Sequence, residues 1–199
     1  MHRTVCDFAL DLVQNSIEAS SSLIILDVEQ TPECITFYLS DNGVGMDEEE
    51  LEAARDPFYT AGTKHTARKV GLGIPFLVQA VEMAGGEFDI SSEKGTGTSA
   101  TFTFRLDNID TPPIGDLAET FFAALTYPGD FELVIHRTIS SSAEHDEPAF
   151  SSSYSLERSK LQEAVGGFEE VGELKLLRMY IRSQEEELAG EPVRGAEQS

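Results

Sequence analysis

The sequence predicts an α+β protein in which a core domain is followed by a smaller α/β extension. Two observations support this prediction. An amphipathic helical pattern near the N-terminus is followed by two consecutive β-favouring runs, and further helical and strand patterns follow along the chain. Apolar residues make up 40% of the 199 residues, which is enough to build a buried core.

Residues 4–19 show the periodicity of an amphipathic helix. On another face of this helix, Asp11, Asn15 and Glu18 lie one turn apart and can line a common site. On this helix alone, a solvated polar face is the simpler interpretation. The predicted apolar face contains Val5, Phe8, Ala9, Leu12, Val13 and Ile17.

The next two runs, 23–28 and 35–40, predict a hairpin with a turn at Thr31-Pro32. The second run leads into Asp41-Asn42-Gly43-Val44-Gly45-Met46. Glycine permits positive φ and the close approach of a ligand, and a carboxylate can accept a hydrogen bond from an exocyclic amine such as that of adenine. Because Asp-Asn-Gly is also a common turn, the motif alone leaves both interpretations open.

A glycine-rich loop opens the next long helix. A short acidic helix is predicted at 47–55, and residues 56–70 form an aperiodic loop rich in Thr, Gly and basic residues. Gly71-Leu72-Gly73 then leads into a helical pattern that ends before Gly85-Gly86. Free N–H groups at such a helix start can bind an anion. The loop bases Lys64, Arg68 and Lys69 favour an anionic ligand, or are ordinary solubilising charges.

The core domain is predicted to end at residue 106. Strands are expected at 87–91 and 99–106, so the predicted domains are 1–106, an extension over 107–188 and a disordered tail over 189–199. Within the extension, helices are predicted at 115–125, 156–165 and 174–188, with strands at 131–137 and around Phe150 and Tyr154.

Charge and composition exclude several classes of function. The net charge of −22 disfavours a nucleic-acid partner, which needs a basic face. The sequence shows neither a signal peptide nor a run near the roughly 18 apolar residues of a membrane span. The two cysteines, Cys6 and Cys34, have no metal-like spacing. We therefore expect a soluble cytoplasmic protein.

Taken together, these motifs resemble those of the GHKL ATPase family, which includes gyrase, Hsp90-type chaperones, histidine kinases and MutL. The resemblance covers about residues 4–106. It implies a Bergerat fold, which is a two-layer α/β sandwich with a mixed sheet and helices on one face, and which binds ATP with Mg²⁺. The motifs, in family order, are the helix with Asp11 and Asn15, the Asp41–Gly45 segment, Gly71-Leu72-Gly73 and Gly95-Thr96-Gly97-Thr98.

The resemblance also implies residue roles. Asn15 is similar to the family asparagine that ligates Mg²⁺ between the phosphates, and Asp41 to the aspartate that receives the adenine amine. Residues 56–60 resemble the F-box of histidine kinases, which makes 56–70 an ATP lid. Thr98 is similar to a threonine near adenine, although an ordinary strand residue is the alternative. The other predicted ligand residues are Gly43, Gly45 and Met46 of the Asp41 motif, Thr60, Lys64, Arg68 and Lys69 of the lid, and Gly71, Leu72 and Gly73 near the phosphates.

Two departures from the family pattern bear on catalysis. Asp11 stands where hydrolysing relatives resembling gyrase and MutL have a glutamate that activates water. Its shorter side chain can still act as a general base, but a misplacement of about 1 Å can cost about 100-fold in rate. In addition, no upstream helical hairpin carries a phospho-accepting histidine, so a kinase of this kind would act on another chain.

The resemblance implies a Mg-ATP-binding, histidine-kinase-like module that acts as a regulatory kinase on a partner protein in trans. The alternatives are an ATP-gated conformational switch and a slow ATPase of the MutL or gyrase type. The whole chain, including residues 112–120, also resembles histidine-kinase-like ATPases of anaerobic bacteria that are often encoded beside iron hydrogenase subunits. Hydrogenase-linked regulation is therefore one candidate context, and the extension is expected to carry a partner site or a homodimer contact.

Overall fold

The computed structural model describes residues 4–55, 73–141 and 150–190. These residues form three consecutive pairs of β-strands, which are separated and flanked by one or two α-helices. The helices are α1 (Val5–Glu18), α2 (Glu48–Arg55), α3 (Gly73–Met83), α4 (Leu117–Leu125), α5 (Arg158–Val165) and α6 (Val171–Gly190). The strands are β1 (Leu23–Gln30), β2 (Cys34–Asp41), β3 (Glu87–Glu93), β4 (Gly97–Arg105), β5 (Glu132–Ser141) and β6 (Phe150–Glu157).

All six strands belong to one mixed sheet with the order β3-β4-β2-β1-β5-β6. Strand β1 pairs in parallel with β5, and every other neighbouring pair is antiparallel. The predicted hairpin is confirmed, because Leu26 of β1 lies opposite Leu39 of β2. The open sheet with its helices confirms the expected α+β fold.

The helices cover one face of the sheet. Along β1, Ile24, Leu26 and Val28 are buried, whereas the residues between them are more accessible. The alternation follows from the pleat of a strand, which directs successive side chains to opposite faces. On the covered face, α1, α3, α4 and α6 contribute to one continuous core with the strands. The molecule is therefore a two-layer sandwich.

Helix α1 begins with a capping box and an additional main-chain connection. The Thr4 side chain accepts from the Asp7 amide, and the Asp7 carboxylate accepts from the Thr4 amide at 2.7 Å. The amides of Val5 and Cys6 donate to the carbonyls of Pro113 and Ile114, both at 2.9 Å. The start of α1 is thus held by a segment more than 100 residues further along the chain.

The C-terminal strands continue the same sheet. Strand β5 lies beside β1, and α4 packs on α1, so both the sheet and the core cross residue 106. The division into domains at that residue stays a prediction. Helix α6 includes Ala189 and Gly190, which were assigned to the tail, and residues 191–199 lie outside the described ranges. Within the described ranges, no helix is long and apolar enough to cross a membrane.

A buried polar cluster fixes α6 to the sheet. Arg137 of β5 is 1% exposed, and its Nε lies 3.3 Å from the Glu185 carboxylate of α6. The same guanidinium donates to Gln30 at 2.6 Å and to the Thr138 carbonyl at 2.9 Å. Tyr154 of β6 also donates to Glu185. Burial lowers the pKa of Arg137 and, together with the Glu185 hydrogen bond, raises that of Tyr154.

Candidate functional site

A cavity of about 120 Å³ opens between α1 and the adjoining ends of β2, β3 and β4. Its walls are mainly apolar, and its polar side chains are concentrated on α1, at the end of β2 and at the start of β4. The volume is below the roughly 300–1,000 Å³ of a complete small-molecule site, so the cavity suits one apolar part of a ligand. The lining residues are Leu12, Asn15, Ser16, Glu18, Ala19, Leu39, Asp41, Gly45, Met46, Ala54, Ile74, Ile90, Thr98 and Ala100.

The Asp41 carboxylate is held at the edge of this cavity by three donors. Ser16 of α1 donates to Oδ2 at 2.7 Å, and Ser21 donates to Oδ1 at 3.0 Å. The Gly43 amide donates to the same Oδ1 at 2.8 Å. A carboxylate offers about four acceptor positions, so Oδ2 has room for one further donor. The arrangement orients the carboxylate without saturating it.

The next residue of the motif connects it to the loop after α1. The Asn42 side-chain oxygen accepts from the amides of Ser22 and Leu23, both at 2.9 Å. The Val44 amide donates to the Ala19 carbonyl at 3.0 Å. These bonds fix the end of β2 against the end of α1, which brings Asp41 within reach of Ser16 and Ser21.

Close packing within the protein requires glycine at positions 43 and 45. A Cβ at Gly43 would lie 2.5 Å from Ser21 Oγ and 2.8 Å from the Ala19 carbonyl oxygen. Gly45 has φ of +61°, and a Cβ there would lie 2.0 Å from the Glu93 carbonyl oxygen. All three distances are shorter than van der Waals contact. Gly45 also lines the cavity, so a bound group meets main chain there.

Thr98 lies directly across the sheet from Asp41. The two residues are Cα partners in the β2–β4 pairing, and both line the cavity. Ser92 Oγ lies 2.9 Å from Thr98 Oγ1 and accepts from the Met46 amide at 2.8 Å. This serine therefore connects the Asp41 motif with the start of β4.

Asn15 and Asp11 lie one helical turn apart on α1. Asn15 is exposed and lines the cavity one residue before Ser16. The Asp11 carboxylate lies near the start of α3, because a Cβ added at Gly73 would lie 3.3 Å from Asp11 Oδ2. Asn15 therefore lies at the cavity, and Asp11 lies one turn away on the side of the N-terminus of α3. Asp11 itself is not among the lining residues.

A surface ion pair joins the β3–β4 turn to the residue that precedes α2. Lys94, in the β3–β4 turn, donates to Asp47 at 2.9 Å and lies 3.7 Å from Glu50. The hydrogen bond from Lys94 lowers the pKa of Asp47. Both side chains are largely exposed, so the pair contributes little to stability.

Six predicted ligand residues lie outside the described ranges. They are Thr60, Lys64, Arg68, Lys69, Gly71 and Leu72.

Sequence analysis did not identify the serines that position the site. Ser16 occupies a position on the apolar face of α1 and is 2% exposed, so a serine on a buried stripe was an available signal. Ser92 follows Ile90 on the inward side of β3, which gives a weaker signal of the same kind. Nothing in the local sequence of Ser21 indicated its bond to Asp41.

Comparison with known proteins gives matches over the region that contains this cavity. The model of the family described as histidine kinase-, DNA gyrase B-, and HSP90-like ATPase matches residues 4–108. The circadian input-output histidine kinase CikA of Synechocystis is 25% identical over 120 residues, which are 58% of this chain and 16% of that protein. Sporulation kinase C of Bacillus subtilis is 30% identical over 91 residues, which are 45% of this chain and 20% of that protein.

Among solved structures, the Aquifex aeolicus MutL ATPase domain complexed with ADP is similar, with a TM-score of 0.35 and 15% sequence identity. The match covers 69% of this chain and 60% of that chain. The curated relatives are much longer proteins, and this chain matches less than a quarter of the length of each of them.

Proposed function

Because the chain belongs to the family of histidine kinase-, DNA gyrase B-, and HSP90-like ATPases, we propose that it binds Mg·ATP at the α1–β2 cavity. We further propose that it acts as a regulatory protein kinase, which transfers the γ-phosphoryl group to a residue of a partner protein. The observation that carries the proposal is the Asp41 carboxylate, held by Ser16, Ser21 and the Gly43 amide at the edge of an apolar cavity.

The cavity has the chemistry that an adenine ring requires. The remaining acceptor position on Asp41 Oδ2 suits the exocyclic amine, and the Thr98 hydroxyl lies across from it. Leu39, Ile90 and Ala100 supply apolar walls, and all three are 2% exposed. A planar ring that enters this cavity gains apolar contact while its amine keeps a hydrogen-bond partner.

The phosphates would extend along α1 towards the start of α3. Asn15 would supply one amide oxygen, a hard ligand that suits Mg²⁺, and phosphate oxygens and water would supply the remaining ligands. When bound, Mg²⁺ neutralises charge on the transferring phosphoryl group. Gly73 begins the 11-residue helix α3, whose free amides favour an anion. We assign Thr60, Lys64, Arg68, Lys69, Gly71 and Leu72 to the same phosphate region from the sequence resemblance.

Asp11 is the proposed general base. It lies one turn from Asn15 and beside Gly73, which is next to the proposed phosphate position. In the kinase reaction, the bond between the γ-phosphorus and the β,γ-bridging oxygen breaks and a bond to the acceptor atom forms. The acceptor proton moves to the Asp11 carboxylate. A slow ATPase would use the same carboxylate on water, and an ATP-gated switch would not need it.

The acceptor is proposed to be a protein and not a nucleic acid, since the chain carries a net charge of −22. Hydrogenase-linked regulation remains a candidate context for that partner. Both cysteines are free thiols, which fits a reducing cytoplasm.

Calorimetric titration with Mg·ATP tests the binding site. In Asp41→Asn, an N–H donor faces the adenine amine in place of an acceptor, while the amide oxygen can still accept from Ser21 and Gly43. We expect the affinity for ATP to fall about 10- to 100-fold, since a hydrogen bond to a charged group contributes about 1.5–3 kcal/mol. The matched control is Asp47→Asn, which removes an exposed carboxylate outside the cavity lining. Equal affinities in wild type and Asp41→Asn would contradict the proposed site.

Phosphate release in the same samples, repeated with Asp11→Asn, separates the three activities. A slow ATPase releases phosphate and loses this turnover in Asp11→Asn, although ATP binding is retained. A kinase releases little phosphate alone, and its transfer to a partner needs Asp11. A conformational switch keeps both nucleotide binding and its partner response in Asp11→Asn.

A further inference from the structure

The two end strands of the sheet differ in how their outer edges are protected. Strand β3 carries Glu87, Asp89 and Glu93. Arg55 of α2 donates to the Ile90 carbonyl of the same strand and lies 4.0 Å from Asp89. Charged side chains and a covering group are common means of preventing an end strand from pairing with another chain. The β3 edge is therefore blocked.

In the part of the chain that the structure describes, no residue gives strand β6 such protection along most of its length. Its residues 150–156 read Phe-Ser-Ser-Ser-Tyr-Ser-Leu and contain no charged residue and no proline. Among the described residues, no strand pairs with its outer side. An end strand presents a row of free N–H and C=O groups, which are a template for a further strand.

We propose that β6 pairs antiparallel with β6 of a second copy of this chain, around a two-fold axis at Ser153. The sequence of β6 is nearly self-complementary about that residue. Phe150 then lies opposite Leu156 of the second copy, and Ser151 lies opposite its Ser155. On the open face of the sheet, the exposed hydroxyls of Ser151, Ser153 and Ser155 form a ladder. Cross-strand pairs of this kind stabilise antiparallel sheets.

Helix α6 provides apolar surface beside the same edge. Leu176, Met179 and Tyr180 are 58%, 59% and 43% exposed. This helix contacts β6 directly, because Tyr154 of β6 donates to Glu185 of α6. An antiparallel β6 pair brings the α6 helices of both copies onto the same side of the extended sheet. A strand pair alone buries less surface than a stable protein interface does. The apolar side chains of α6 would add buried area to the proposed interface.

The orientation of α6 supports this assignment. Arg178 and Arg182 lie on a different side of the helix from these apolar residues, and both form ion pairs with Glu119 of α4. Arg178 also lies over the Phe122 ring, 4.2 Å from its centroid. The side of α6 that faces α4 is therefore occupied, and the apolar side faces away from the centre of the sheet.

The charge distribution favours a second copy over a basic peptide. Two chains of net charge −22 can approach closely only where their surfaces lack acids, and β6 offers seven consecutive uncharged residues. A basic peptide would pair more favourably with the acidic residues of β3 than with the uncharged β6. With the axis at Ser153, the two Glu157 residues lie at opposite ends of the strand pair, so their carboxylates do not face each other.

The proposed interface leaves the nucleotide cavity open. None of the residues that line the cavity belongs to β6 or α6. Dimerisation and nucleotide binding can therefore be tested separately, and Asp41→Asn is expected to remain dimeric.

Sedimentation equilibrium of the full chain tests the proposal. Wild type is expected at twice the chain mass of 21.8 kDa. Ser153→Lys places two like-charged side chains directly opposite each other at the axis, with their Cβ atoms about 5 Å apart, and Ser153→Glu does the same with negative charge. Each variant should weaken the dimer at least about tenfold, and an equimolar mixture should restore it because Lys then faces Glu. Ser153 is exposed on the open face, so neither side chain should disturb the monomer fold, which circular dichroism verifies.

The matched control is Ser91→Lys on β3, which makes the same substitution on the opposite end strand. This variant should dimerise like wild type. Three results would overturn the proposal. They are a monomeric wild type at the highest soluble concentration, an unchanged dimer in Ser153→Lys, and a mixture of the Lys and Glu variants that stays monomeric.

Discussion

At the scale of single residues, the orientation of Asp41 depends on how its two oxygens are bound. Oδ1 accepts from both Ser21 and the Gly43 amide, so it keeps a donor if one is lost. Of the donors described for this carboxylate, only Ser16 reaches Oδ2, at 2.7 Å. Oδ2 is also the atom proposed to receive the adenine amine. Loss of a single donor should therefore displace Oδ2 more than Oδ1.

Ser16→Ala is expected to lower the ATP affinity about tenfold, because a hydrogen bond to a charged group contributes about 1.5–3 kcal/mol. The matched variant Ser21→Ala also removes a hydroxyl from a buried serine. In this variant the Gly43 amide still donates to Oδ1. Its effect should be no more than about threefold. Isothermal titration of both variants with Mg·ATP measures the difference. A larger loss in Ser21→Ala than in Ser16→Ala would contradict this account of the carboxylate.

The motif residues and the residues that hold them differ in how far the sequence reveals them. Asn15, Asp41, Gly45, Met46 and Thr98 come from separate motifs, and the structure places all five around one cavity. Their role as ligand residues stays a prediction. Ser16 and Asp41 are 25 positions apart, and their contact depends on how the end of α1 meets the end of β2. Such a contact is set by tertiary packing, which no local pattern encodes.

At the scale of elements, one buried charge contributes to the attachment of α6, beside the apolar contacts of Leu177 and Ile181 in the core. Arg137 is 1% exposed and Glu185 is 19% exposed, and their atoms lie within ion-pair distance. Removing a buried charge is costly when its partner stays behind, because the remaining charge is desolvated without compensation. Glu185 is the anion in this cluster, whereas Gln30 and Thr138 offer neutral acceptors only.

Glu185→Gln is therefore expected to destabilise the protein by about 3 kcal/mol, at the lower end of the range for broken buried pairs. The shape of the side chain is conserved, so the loss reports charge more than packing. The matched control is Glu186→Gln on the next, exposed residue, which should change the free energy of unfolding by less than about 0.5 kcal/mol. Urea unfolding at pH 7 measures both. Equal stabilities would show that Arg137 does not need this carboxylate.

Periodicity identified the elements, but it did not identify how the late strands pair. The alternation of Phe102 and Phe104 predicted β4, and the helical repeat predicted α1 within one residue at each end. The parallel pairing of β1 with β5 joins residues more than 100 positions apart. A strand pattern shows that a residue run is extended, but it does not show which neighbour completes its hydrogen bonds.

At the scale of the whole molecule, the region that matches the family, residues 4–108, is stabilised by contacts with residues outside it. Strand β1 pairs on one side with β2 and on the other with β5, which begins at Glu132. The carbonyls of Pro113 and Ile114 accept from the first amides of α1. Phe121 and Leu125 of α4 are fully buried in the common core. The cavity proposed to bind nucleotide is thus built on elements that are stabilised by residues beyond 108.

A variant that ends at residue 108 tests this dependence. We expect it to lose cooperative thermal unfolding and measurable ATP binding, because β1 becomes an open edge and the α4-facing side of α1 meets water. A variant that ends at residue 190 is the control and should match the full chain in both measurements, since it keeps every described element. If the shorter variant instead unfolds cooperatively and binds ATP with unchanged affinity, the core domain is independent of the extension over residues 107–188, as the predicted domain end at residue 106 implies.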